Sequence, residues 1–305
     1  MRGRGGLAAA AAETVAGVLL VATAAYLAAR AGLGNPLAGL GESGALPPKA
    51  VESIERVYGL REPPLRGLLG FLYSLLRGRG GPSLYYGGAN ALGLALTGLW
   101  RTLAVMLPAT GAAAVAAAAW SIVMGFELPG PVRALSFMPG YFYAVAAAVS
   151  SWLLGWPPPL PCSCLSKAVA YFLVVFIALW PRMLHTLSGL LQDALGELSG
   201  YAAAARAVGL GERRLRARLV RAVAAPFAAQ AALLAGMVLE RSAVLEPLLG
   251  YTGLGRLLYS AVANADPVLA ATAFTVLGSA AYLVASLGRL LEPLLDPRLR
   301  GGEAA

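Results

Sequence analysis

Histidine, cysteine and lysine are nearly absent from this chain, and charge of either sign is scarce. Among 305 residues there is one histidine (His185), with two cysteines (Cys162 and Cys164) and two lysines (Lys49 and Lys167). Charged residues make up 13%, where an ordinary soluble domain carries about 25%. Each shortage excludes a chemistry. The Cys-Ser-Cys spacing is too tight for an ordinary disulfide, and one histidine cannot complete an ordinary zinc site. No HExxH, GxSxG or CxxC occurs, and a histidine-based triad has a single residue to draw on. The lysines follow Pro48 and Ser166, so the Gly-Lys-Ser/Thr of a phosphate-binding loop is missing. The expectation is a chain that is not an enzyme, with no catalytic residue, no metal and no cofactor of its own. No secretory cleavage pattern is evident after the first apolar run, which is too long for a signal core.

What the chain has instead is apolar length. Hydrophobic residues make up 58% and the mean hydropathy is +0.69. A membrane-crossing helix needs about 20 predominantly apolar residues. Six segments meet this: 7–29, 102–124, 136–154, 168–190, 226–245 and 267–290. The fold expected is an all-α polytopic membrane protein. Its divisions are an N-terminal tail and first helix (1–30), a long segment (31–100) and a five-helix core (101–305). The long segment mixes Pro, Gly and both charges, with a partly amphipathic piece around residues 65–76. The links at 125–135, 155–167 and 246–266 are short and rich in Gly and Pro.

The net charge of +9 is not a nucleic-acid footprint, because the arginines lie between apolar runs. The link at 191–225 carries Arg206, Arg213, Arg214, Arg216, Arg218 and Arg221 against Asp193, Glu197 and Glu212. Arg2 and Arg4 precede the first span, and Arg298 and Arg300 follow the last. The positive-inside rule puts both termini and the 191–225 link in the cytoplasm, and the long 31–100 segment outside. Charges within spans are costly and call for partners. Glu13 lies near the inner end of its span. Arg182 and His185 share a helix face. Glu240 and Arg241 interrupt the fifth span and either reach the outer interface or line a cavity.

Within the basic link, residues 202–208 form a predicted short helix of strong formers. Gly209-Leu210-Gly211 then breaks it, and a basic helix resumes at Glu212. A small-residue helix held on two rigid arms can slide into a groove of a partner. Other pieces stand out along the chain: GLGNPLAGL after the first span, LLRGRGGPSL at 75–84, SFMPGYFYAV from Ser136 followed by LLGWPP, VLEPLLGYTGLGRLL at 244–258, Asp266-Pro267, and the terminal LLDPRLR. Six such pieces in this order resemble the permease subunits of binding-protein-dependent ABC importers, in particular the dipeptide/oligopeptide/nickel family. Departures from that pattern are Asn35 for an aspartate, Arg79 for an acid, Ala203-Ala204-Ala205 for Glu-Ala-Ala, Thr252 for a proline, and Glu240-Arg241 for small residues.

The resemblance implies a six-helix type I importer permease working by alternating access. Peptide or oligopeptide is the cargo it points to, with nickel and oligosaccharide as the family's other cargoes. It implies a homologous second permease, two ATP-binding cassette ATPase subunits that consume the ATP, an extracytoplasmic substrate-binding protein, and a home in the cell membrane. It makes Tyr201, Ala203, Ala204, Ala205, Arg206, Gly209 and Leu210 the ATPase-coupling loop. Pro139, Tyr141, Glu240, Arg241 and Glu246 are candidates for the pathway or its gates. The alternative is a secondary transporter or channel that needs no ATPase. Such folds carry repeats or midplane charges, and neither is apparent here.

Overall fold

The computed structural model describes residues 2–33, 49, 52, 62–153 and 164–295. The sequence pieces GLGNPLAGL, LLGWPP and LLDPRLR lie wholly or largely outside these residues, as does Cys162. Among the described residues the regular elements are helices, with one isolated bridge between Pro82 and Asn90. In chain order they are α1 (Arg2–Leu33), α2 (Pro64–Leu76), α3 (Ala91–Val123), α4 (Gly130–Phe137), α5 (Gly140–Leu153), α6 (Cys164–Glu197), α7 (Ser199–Ala207), α8 (Glu212–Ala222), α9 (Ala224–Leu249), α10 (Leu254–Ala263) and α11 (Pro267–Leu295).

Four of these contain stretches long and apolar enough to cross a membrane: Ala12–Leu33, Ala91–Val123, Leu165–Glu197 and Pro267–Leu287. A fifth arises if α8 and α9, bent by 63° at their junction, count as one broken span. The segment expected as a span over 136–154 is divided. Pro139 has no N–H to give, and it forces its predecessor out of the helical region. Met138 accordingly sits at φ −66°, ψ 137° between α4 and α5. α5 has 14 residues up to Leu153, and residues 154–163 lie outside those described. The second span begins earlier than expected, since α3 takes in residues 91–100 of the segment expected outside.

Small residues set the packing of α3. Ala91, Ala95, Thr102, Ala109, Ala113, Ala117 and Ser121 are buried at steps of four or seven along one face. Small side chains allow helix backbones to approach closely where no water drives association. The prolines within α3, α6 and α9 (Pro108, Pro181, Pro247) leave helices that continue past them, as membrane spans tolerate.

The chain divides into two compact units that cut across its linear order: residues 1–103 with 242–282, and 104–241 with 283–305. In the first, Tyr26 of α1 stacks on Phe71 of α2 at 5.4 Å. Ala22, Phe71 and Ala271 form one apolar cluster, and Ala91, Ala261, Leu269 and Ala270 another. In the second, α6 is the central helix and packs against both α4 and α5. Its Leu179, Met183, Leu184, Leu187 and Leu191 are buried, and Trp180 meets Trp120 of α3 edge to face at 5.7 Å.

Candidate functional site

The 191–225 link is built as two short helices with a tied corner. α6 ends at Glu197, and α7 starts after a single non-helical residue, Leu198. Alanine dominates α7, so little side-chain entropy opposes the helix. Its end is closed by two backbone bonds, Gly209 N–H to Arg206 O and Leu210 N–H to Ala205 O, both 2.9 Å. This is a Schellman closure, with glycine at its left-handed position; Gly209 has φ +82°. Gly211 is extended, and Glu212 occupies the first turn of α8, where a carboxylate complements the helix dipole. Leu215 and Leu219, one turn apart, bury one face of α8, while Arg213, Arg214 and Arg218 remain exposed.

Two side-chain ties hold the corner. Arg206 Nε donates to Glu212 Oε1 at 2.7 Å, and Arg218 Nη1 donates to the Tyr201 hydroxyl at 3.0 Å. The hydrogen bond from Arg206 holds the Glu212 carboxyl below the usual glutamate range, and the same bond raises Arg206. Of the residues expected in the coupling loop, Tyr201, Ala203, Ala204, Arg206 and Gly209 are exposed, Ala205 and Leu210 are half-buried, and neighbouring Ala202 is buried. Two residues here were not among those expected in the coupling loop. Val208, at 89% exposure, is the most prominent apolar side chain of the corner. Arg216 donates to the Val123 carbonyl at the end of α3, at 3.2 Å. Nothing local in the sequence announces either; each follows from how α7 stops and how α8 lies.

Of the residues expected for the pathway or its gates, Pro139, Tyr141 and Arg241 lie at the break between α4 and α5. Arg182, on α6, donates from Nε to the Ser136 carbonyl at 3.2 Å and from Nη2 to the Met138 carbonyl. Tyr143 donates to the Leu135 carbonyl at 2.7 Å. The carbonyls released where α4 ends are thus taken up by side chains. Pro139 makes the break, Gly140 opens α5, and Tyr141 beside it is exposed. Arg241 of α9 reaches this point. A Cβ built on Gly140 would lie 2.8 Å from Arg241 Nη1 and 3.1 Å from its Cδ. That Nη1 is buried with no hydrogen-bond partner among the described residues. Glu240, next in sequence, is exposed and is not brought to the break. His185, one turn from Arg182, is exposed and meets Phe137 edge to face at 5.4 Å.

Glu246 stands apart, in the first unit. It is fully buried, and its carboxylate caps a helix. Oε1 accepts from the Thr102 hydroxyl at 2.6 Å, and Oε2 accepts from the Arg256 N–H at 3.1 Å in the first turn of α10. Thr102 Oγ1 in turn accepts from the Leu254 N–H at 2.9 Å. Two of the orphan donors of α10 are satisfied from other segments. A Cβ on Gly253 would strike both carboxylate oxygens and the Thr102 hydroxyl. Asp266, quoted in the sequence only as half of Asp-Pro, does a parallel job. Oδ1 accepts from Leu269 N–H at the start of α11, and Oδ2 accepts from the Ser83 hydroxyl at 2.6 Å and the Tyr85 N–H at 3.0 Å. Two sequence pieces 183 residues apart, LLRGRGGPSL and Asp266-Pro267, therefore meet through one buried carboxylate.

Residues 165–301 match the sequence model of a family described as binding-protein-dependent transport system inner membrane component. The match begins in α6 and takes in the tied corner and α9, α10 and α11. It supports a permease component of binding-protein-dependent transport, and the long apolar helices support a multi-pass membrane protein. No curated protein matches the chain.

Proposed function

We propose that the chain is the permease subunit of an ATP-driven ABC importer and moves a peptide or oligopeptide by alternating access. The observation that carries this reading is the family match across residues 165–301, in which the tied corner of α7 and α8 lies. The chain itself has no phosphate-binding loop. Movement must then be driven from outside, by two ATPase subunits that use the ATP. The exposed small face of α7, with Val208 at its tip, is the part offered to them. Closure of the ATPases pushes α7; the ties to α8 pass that push to α9, and the Arg216 bond passes it to the end of α3. A second, homologous permease completes the pathway, and an extracytoplasmic binding protein delivers cargo.

The proposed topology has six spans. The sixth is the divided segment of α4 and α5, too short in its described length to cross alone. Both termini and the tied corner lie in the cytoplasm of a cell-membrane protein, because the arginines concentrate there.

The test is reconstitution. The subunit, its partner permease and the ATPase pair, purified together into liposomes, should take up a labelled oligopeptide only with ATP and a binding protein present. The subunit alone should neither hydrolyse ATP nor pass the peptide. Uptake by the subunit without ATPase would establish the ATP-independent alternative and end this reading.

A further inference from the structure

We propose that Arg241, seated against Gly140 beside Arg182, is an oxyanion-binding point that takes a carboxylate or phosphate group. The argument starts from which donors are already used. Arg182 spends its Nε and Nη2 on the carbonyls of Ser136 and Met138 at the end of α4. A cation at a helix C-terminus is well placed, so Arg182 has a structural task. Arg241 has none: its buried Nη1 meets no acceptor, and the rest of the side chain is only partly enclosed. Both guanidiniums lie at the break between α4 and α5, Arg182 on the Met138 carbonyl and Arg241 against Gly140. Glu240 is the adjacent carboxylate, but helix neighbours project about 100° apart, and it is exposed. α5 also begins here, and the first N–H groups of a helix carry partial positive charge.

Three sources of positive potential therefore converge where the described residues supply no counter-anion. A charge held within a span without a partner marks a functional position by default. A planar guanidinium with unused donors matches an oxyanion in geometry as well as in charge. Gly140 admits the approach, since its missing Cβ leaves the space that Arg241 occupies. Such an anion has two sources, a carboxylate of the transported solute or the phosphate of a lipid headgroup. The choice of cargo as a source rests on the permease reading; the oxyanion point rests on the side chains alone.

The experiment uses the full-length subunit in phosphatidylcholine nanodiscs, without any ATPase, titrated with succinate and with inorganic phosphate. At least one should raise its thermal unfolding midpoint in a saturable way. Arg241→Gln should weaken that response by on the order of tenfold or more, the loss of a charge-assisted hydrogen bond. Arg241→Lys should keep part of it. Gly140→Ala keeps the charge but pushes the guanidinium aside, so it should weaken the response as well; it answers the question if Arg241→Gln does not fold. Trialanine against its C-terminal amide then tests cargo: an Arg241-dependent preference for the free acid assigns the site to solute. Retention of phosphatidylglycerol in native mass spectra, lost in Arg241→Gln and without that preference, assigns it to lipid. A parent protein indifferent to succinate, phosphate, trialanine and phosphatidylglycerol overturns the proposal, as does a response the Arg241 and Gly140 variants leave unchanged. None of these outcomes depends on whether an ATPase binds, so failure here is separable from failure of the importer reading.

Discussion

Ala265 stands in the left-handed region at φ 50°, the lone non-glycine residue to do so among the described residues. It occupies the position that Gly209 holds at the end of α7. The closing bonds are the same in kind, with Ala265 N–H to Val262 O at 3.1 Å and Asp266 N–H to Ala261 O at 2.8 Å. The alanine Cβ is strained there, by about 1–2 kcal/mol. The strain persists because Asp266, the next residue, is fixed by Ser83, Tyr85 and Leu269. Ala265→Gly should therefore stabilise the subunit. The gain is about 0.5–1 kcal/mol once the extra freedom of glycine in the unfolded chain is subtracted, and it would appear as a higher thermal unfolding midpoint. Glu246→Ala should do the reverse. It removes the acceptor of the Arg256 N–H and leaves the Thr102 hydroxyl only its longer bond to the Gly98 carbonyl, and costs about 1–3 kcal/mol. The comparison that checks this is Glu246→Gln, which keeps an acceptor and should lose less. Equal losses would mean that the capping bonds contribute little.

The tied corner is where sequence reading and structure meet most closely. The sequence places a short helix at 202–208, a break at Gly209 and a new helix from Glu212; the helices found are Ser199–Ala207 and Glu212–Ala222. Alanine and glycine carry their conformational preferences locally, so this much is legible. What is not legible is that Arg206 turns back on Glu212, because two exposed charges six apart across a break have no fixed geometry until the turn forms. That pairing changes what substitutions there mean. Arg206→Glu would set two carboxylates against each other and loosen the corner as well as alter any ATPase contact. The charge swap Arg206→Glu with Glu212→Arg separates the two effects. If the internal tie is what matters, the swap restores ATPase co-purification that the single change loses. The depressed Glu212 means that the tie is intact above the free-glutamate value of 4.5 and is lost as pH falls through its lower folded value. The protection of α7 against hydrogen exchange, relative to the intrinsic rate at each pH, should therefore be unchanged between pH 7 and 5 and should fall only in stronger acid. Gly209→Val costs about 1 kcal/mol or more through backbone strain alone, since a Cβ there meets nothing within 4 Å. Insertion should survive while ATP-driven transport falls. Unchanged transport would make the corner a passive connector.

For the molecule as a whole, apolar length predicts most of the helices, because a membrane leaves the backbone no other way to satisfy its polar groups. The exceptions have local causes. Pro139 divides the expected third span, and a residue-by-residue hydropathy average does not register a missing N–H. The Glu246 and Asp266 caps are invisible for a different reason: their partners lie 144 and 183 residues away, at Thr102 and Ser83. The two compact units likewise draw on distant parts of the chain, so no linear division of the sequence anticipates them. Orientation is the property that charge alone must decide, and it yields a direct test. In a background with Cys162→Ser and Cys164→Ser, single cysteines are placed at Thr252, exposed between α9 and α10, and at Gly211, exposed between α7 and α8. The arginine distribution puts the first outside and the second inside. An impermeant thiol reagent added to intact cells should label Thr252→Cys and spare Gly211→Cys, and permeabilised cells should show both. Ser43→Cys, in the long segment after α1, should behave as Thr252→Cys does. Labelling of Gly211→Cys in intact cells would place the tied corner outside, beyond reach of any cytoplasmic ATPase, and the importer mechanism would fail with it.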